Sequence, residues 1–183
     1  MCKLAVLLGF VLAAIAAAGL FGIVHDQISY TVSLEYYTRF KFLQFRMLDA
    51  SVPERLRAAQ VGWQATWWMG LLLGILTGLR ALLYRTARSM QRHLMFSLHL
   101  AIAVALLCAL AGLAYGCWQT RSGVHLTHYS AWLVPPGLHD IRRFICVGYM
   151  HNAAYLGGVL AVPLLWLWHG WNIWRDRHCS AAE

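Results

Sequence analysis

Residues 4–24 form an unbroken apolar run without a single charge, about as long as the ~20 residues an α-helix needs to cross the hydrocarbon core of a bilayer. That run restricts the chain to few folds. A segment this apolar has no backbone partner in lipid except itself, so a bundle of helices is the architecture to expect. The rest of the chain agrees: 60% of its 183 residues are apolar and only 12% are charged, too oily a balance for an ordinary water-soluble domain. The expected fold is all-α, a four-helix transmembrane bundle in one integral membrane domain covering residues 1–183. Its helices fall near 4–24, 51–84, 93–117 and 140–171, with a structured extracytoplasmic loop, an outer cap, over 25–50.

Local signals mark the ends of these helices. Ser51-Val52-Pro53-Glu54 has the order of a capping box, with a proline early in the first turn. Pro163 lies inside the fourth helix and predicts a kink. Gly70, Gly74 and Gly78 recur every four residues, and Gly112 and Gly116 repeat the spacing. Small residues so placed let two membrane helices approach closely, within one chain or across a dimer. The first run, preceded by Lys3, also has the small residues of a signal-peptide cleavage region near Ala17. It is longer than a usual signal core, which favours an uncleaved helix.

The net charge of +8 could point to nucleic acid, but the basic residues sit at the ends of apolar runs instead of in one aromatic-interleaved patch. They read as topology. Arg80, Arg85, Arg88 and Arg92 crowd the link between the second and third helices, and such a cluster stays on the cytoplasmic side. Both termini then lie inside, with Lys3, Arg175 and Arg177 in agreement, and residues 25–50 and 118–143 lie outside. The Trp166, Trp168, Trp171 and Trp174 cluster suits an interfacial aromatic belt.

Cys2, Cys108, Cys117, Cys146 and Cys179 have no zinc-module spacing. Cys117 and Cys146 flank the same outer loop, so they are either a disulfide pair or two small helix residues.

The chemistry-bearing residues gather in residues 24–46, VHDQISYTVSLEYYTRFKFLQFR. His25 and Asp26 follow the first span directly, Glu35 opens a capped turn after Ser33, and Tyr149, His151 and Asn152 interrupt the fourth helix. Polar side chains at membrane depth need partners, which makes them candidates for function. His25, Asp26, Glu35 and His151 would suit a divalent metal such as zinc, or non-haem iron or manganese. The alternative is a tyrosine-histidine-asparagine network that joins helices. His93, His99 and His169 lie toward the other face and invite comparison with haem-holding membrane cytochromes. The second helix has no histidine, however, and His93 and His99 do not share a helical face. Arg39, Lys41, Arg142 and Arg143 form either a site for an anionic group or a solvated rim.

The run His25-Asp26-Gln27-Ile28-Ser29-Tyr30-Thr31, followed by Glu35-Tyr36-Tyr37 and Phe40-Lys41-Phe42 with Gln44-Phe45, resembles a motif of small uncharacterised bacterial multi-helix membrane proteins. Leu34 stands where that motif has a proline. The resemblance implies a bacterial multi-helix membrane protein and carries no activity with it; the expected location is the bacterial inner membrane. No nucleophile elbow, phosphate loop or zinc-protease helix occurs. The first expectation is therefore an accessory or structural membrane protein. It would bind a membrane-protein partner, or a copy of itself, through the glycine faces and the cap rings Tyr36, Tyr37, Phe40, Phe42 and Phe45. The second is a metal-dependent membrane enzyme or transporter element with a site at His25, Asp26, Glu35 and His151.

Overall fold

The computed structural model describes residues 2–178; Cys179 lies outside them. Four long helices carry the fold, and the described residues contain no strand. They are α1 (Lys3–Val32), α2 (Glu54–Ala81), α3 (Ala87–Gln119) and α4 (Ile141–His178). Three of them, α1, α3 and α4, are long and apolar enough to cross a membrane. Helix α2 is nearly as long, but its first half carries Glu54, Arg55, Arg57, Gln60 and Gln64, and it does not reach the same apolarity.

The helix boundaries follow from local chemistry. Nothing between Val24 and Val32 breaks a helix, so α1 continues through residues expected in the cap, extending roughly 12 Å past Val24 at 1.5 Å per residue. His25, Asp26 and Ser29 are thereby on a rigid helix instead of a loop. The break comes at Ser33, whose extended backbone ends α1 and whose hydroxyl accepts from the Tyr36 amide at 3.3 Å. The capping box expected at Ser51 does not form. Asp49 Oδ1 takes both the Ser51 amide (2.9 Å) and its hydroxyl (2.6 Å), an Asx-type turn competing with the cap. Helix α2 starts at Glu54, whose carboxylate accepts from the Tyr30 hydroxyl at 2.6 Å instead. Thr86 caps α3 through the Ser89 amide, and Asp140 caps α4 through the Arg143 amide.

The helices pair as two antiparallel hairpins, α1 with α2 and α3 with α4. Glycine makes the approach inside each pair possible: a Cβ on Gly22 would sit 2.1 Å from the Gly62 carbonyl, and one on Gly70 would sit 2.3 Å from the Ala14 carbonyl. Gly74 and Gly78 continue this seam against Val11 and Leu7. Gly112 and Gly116 do the same for the second hairpin against Tyr149 and Cys146. The glycine faces are thus occupied within the chain. The Gly22–Gly62 crossing belongs to the same seam: Gly62 stands two four-residue steps before Gly70, with Thr66 between them.

Side chains fill the two ends of the molecule more densely than its middle. At one end Tyr36, Tyr37, Phe42, Val61, Phe144 and Ile145 are part of an apolar cluster; at the other, Val6, Phe10, Tyr84, Met90, Leu94 and Ile173 form a second. The first cluster is the cap. It consists of Leu34–Tyr36, the π-helical turn Tyr37–Lys41 and Phe42–Gln44, folded over the ends of α1, α2 and α4. This overturns the expectation of an exposed aromatic surface. Tyr37 is fully buried, Tyr36 and Phe42 nearly so, and Phe40 and Phe45 pack against them. The rings gain more from packing on the helix ends than from facing water. Cys117 and Cys146 are free thiols that lie against each other, and Cys146 Sγ is also 3.5 Å from the Thr120 hydroxyl.

Candidate functional site

Beneath the cap, the end of α1 meets the first turns of α4. His25 and Asp26 come from α1 and His151 from α4, and all three are at least 94% buried, with exposures of 5%, 3% and 6%. His25 Nδ1 is 3.1 Å from Asp26 Oδ1, and His151 Nε2 is 3.9 Å from the same oxygen. The two imidazoles touch edge to face, with ring centroids 4.6 Å apart. Tyr36 stacks on the far side of His151 at 5.0 Å. Hydroxyls complete the support: His151 Nε2 is 3.3 Å from Ser29 Oγ, which is 2.6 Å from Tyr37 Oη.

Two atoms of this group, His25 Nε2 and Asp26 Oδ2, are buried and have no hydrogen-bond partner among the described residues. Such groups are rare because each forfeits its solvation without compensation. The His25 Nδ1–Asp26 Oδ1 contact is the one that a cation shared by both side chains would replace, because a carboxylate accepting from Nδ1–H lies across the ring from Nε2. One donor atom from each of His25, Asp26 and His151 lies within 4.8 Å of the others. Two imidazoles and a carboxylate with room for a water or substrate is a ligand set of catalytic zinc and of non-haem iron. The long 3.3 Å contact to Ser29 is the one a cation at His151 would displace.

Glu35 is not a member of this group. Both of its oxygens are engaged by backbone amides at the entry to α4, His139 N at 2.9 Å and Asp140 N at 2.8 Å. Those bonds, the His139 amide first, hold its carboxyl below the ordinary range. Its position tethers the cap to α4.

Several residues around the site have a different place from the one read in the sequence. Lys41, read with Arg39 as part of either an anion site or a solvated rim, is 6% exposed. Its ammonium donates to Gln44 Oε1 at 3.2 Å and lies 5.4 Å from the Phe40 and Phe45 ring centroids and 5.9 Å from that of Tyr36. Burial lowers its pKa, and the Asp26 charge works against that. The loosely wound π-turn brings it inward, a distortion common at functional sites. Ser29 was not read as a site residue, and Tyr37 was read only as a cap ring. Ser29 is four residues beyond His25, so the helical spacing would have exposed it once α1 was known to continue. Asn152, next to His151, faces outward.

The histidines at the other end are arranged differently. His169 is fully buried, its Nδ1 2.9 Å from Tyr84 Oη and its Nε2 2.8 Å from Ser97 Oγ. His93 stacks on Tyr84 at 4.7 Å, and His99 Nδ1 is 2.7 Å from the Met95 carbonyl of its own helix. Both His169 nitrogens are engaged, and the His25 and His151 rings touch edge to face instead of standing apart on either side of a gap.

Neither a protein-family model, nor a curated protein, nor a solved structure matches the chain. The reading of the site rests on its own chemistry.

Proposed function

We propose that the chain is a metal-dependent integral membrane protein of the bacterial inner membrane, with His25, Asp26 and His151 as ligands of a divalent cation. In this reading all four helices cross the bilayer, both termini are cytoplasmic, and the site lies in the outer leaflet under the cap. The carrying observation is the pair of orphaned buried atoms, His25 Nε2 and Asp26 Oδ2, beside a second imidazole. A carboxylate taken out of water with one of its oxygens bare is costly, and a bound cation removes that cost. The chemistry such a centre would supply is activation of a water for attack.

The partner-binding alternative draws less support from the residues first read for it. The glycine faces are filled inside the two hairpins, and the cap rings form a core. Elemental analysis of protein stripped with chelator and reloaded with zinc tests the proposal. It predicts close to one zinc per chain, lost in His151→Ala and Asp26→Asn while helical circular dichroism is retained. Wild-type protein that binds no zinc, iron or manganese under these conditions contradicts it.

A further inference from the structure

The hairpins that are tight within themselves do not close against each other. A half-enclosed cavity of about 510 Å³ lies between them, lined by residues of all four helices, within the size range of small-molecule sites. Its lining follows α1 from Asp26 to Ala14 and α4 from His151 to Pro163, twelve residue steps on each, or roughly 18 Å at 1.5 Å per residue. That is close to the depth of one leaflet, half of the ~30 Å hydrocarbon core.

The polarity of this lining is graded. His25, Asp26, Thr66, His151 and Tyr155 lie toward the cap, while Leu72, Leu73, Leu76, Leu98, Val162 and Pro163 line the deeper part. Small residues keep it open: Ala14, Ala18, Ala65, Ala101, Ala105 and Ala154 all face it. Inside a hairpin such residues let backbones touch; between hairpins they leave a channel. Pro163 adds to this, because the turn before it has lost a backbone bond.

We infer that this cavity takes the hydrocarbon chain of a membrane amphiphile, with its polar head at the His25–Asp26–His151 centre. The chain's place rests on the shape and polarity of the cavity, and the contact of its head with a cation rests on the metal reading above. An apolar channel of one-leaflet depth is matched by a lipid chain in length and in solvent preference. At the same time the bare Asp26 Oδ2 and His25 Nε2 call for a polar or metal-bound group at one end. The substrate class is then a lipid-like molecule whose reacting group is at or next to its head.

The test uses zinc-loaded protein in nanodiscs and a sixteen-carbon fatty acid carrying a diazirine near its methyl end. Photolysis and peptide mass spectrometry should place the label on the deep lining, around Leu72, Leu98 and Val162. Gly158→Leu with Val162→Phe should reduce that labelling at least tenfold with zinc content unchanged; a Cβ at Gly158 meets only the flexible end of Met69. Ile102→Trp, on the α3 helix of the same hairpin, should reduce it likewise and serves if the double variant does not fold. Label confined to outward residues such as Leu12, Leu107 and Leu167, and unchanged by filling the cavity, overturns the inference. Cavity labelling in wild-type protein that holds no metal would sink the metal reading and leave the chain's place standing. Bound zinc without cavity labelling would do the reverse.

Discussion

Helix α4 holds a buried histidine near each end, and the two meet opposite surroundings. At His169 every polar atom of the ring has a hydroxyl: Tyr84 on one nitrogen, Ser97 on the other. At His151 the neighbours are a second imidazole and a carboxylate, and the group keeps two buried atoms without partners. Both places are dry and aromatic, and the difference is whether hydrogen bonding is complete. A completed network joins helices. An incomplete one is maintained against the stability of the fold, which is the usual signature of a site where something else binds.

Breaking the completed network should produce the largest loss. His169→Ala leaves the Tyr84 hydroxyl bare beside a new cavity, while Ser97 keeps its bond to the His93 carbonyl, so unfolding in detergent should be easier by about 3 kcal/mol. An effect below about 1 kcal/mol would remove the contrast. Next in size is the response to metal. Zinc at about a hundred times its dissociation constant should stabilise wild-type protein, and equally His169→Leu if that variant folds, by about 2.7 kcal/mol. Asp26→Asn should show no such response in the same thermal-shift assay.

Smaller, and opposite in sign to the first, is the effect of Asp26→Asn on metal-free protein. Replacing an under-partnered buried carboxylate by a neutral isostere should stabilise the fold by about 1 kcal/mol. Destabilisation comparable to that of His169→Ala would mean that the two ends are built alike.

The smallest effect concerns the lid over the site. The Glu35 carboxyl has its pKa lowered from the ordinary 4.5 by the His139 and Asp140 amides. Its contribution to cap docking is therefore complete above that ordinary value and is lost as pH falls through the lowered one. Hydrogen exchange of the His139 and Asp140 amides should accelerate over that acid window, after correction for intrinsic rates. Glu35→Gln should abolish the dependence and cost less than about 1 kcal/mol, since the group is open to solvent. An unchanged exchange profile in the variant would show that Glu35 does not tether the cap.

The helical architecture and the meeting of His25, Asp26 and His151 could be read from the chain. Both follow from apolar run lengths and from polar residues placed at like depth in the first and last long helices. The cap could not be read in this way. Tyr36, Tyr37 and Phe42 have the composition of an interfacial belt as much as of a core, and only the fold of residues 34–44 over the helix ends decides between them. Glu35 has the chemistry of a metal ligand but lies where two backbone amides claim it first. Lys41 follows a π-turn that no spacing rule anticipates. For Cys117 and Cys146, loop position correctly suggested neighbouring helix ends but could not say whether the sulfurs bond. The cavity was out of reach for a related reason: alanines that close one helix pair leave the gap between pairs open, and the alphabet is the same.

The most direct measurement is X-ray absorption at the zinc edge of the reloaded protein. The account predicts a first shell of nitrogen and oxygen at about 2.0 to 2.1 Å with the outer-shell scattering of two imidazoles, retained in His169→Leu if that variant folds and lost in His151→Ala. A shell containing sulfur at about 2.3 Å, or imidazole scattering that persists in His151→Ala, would contradict it.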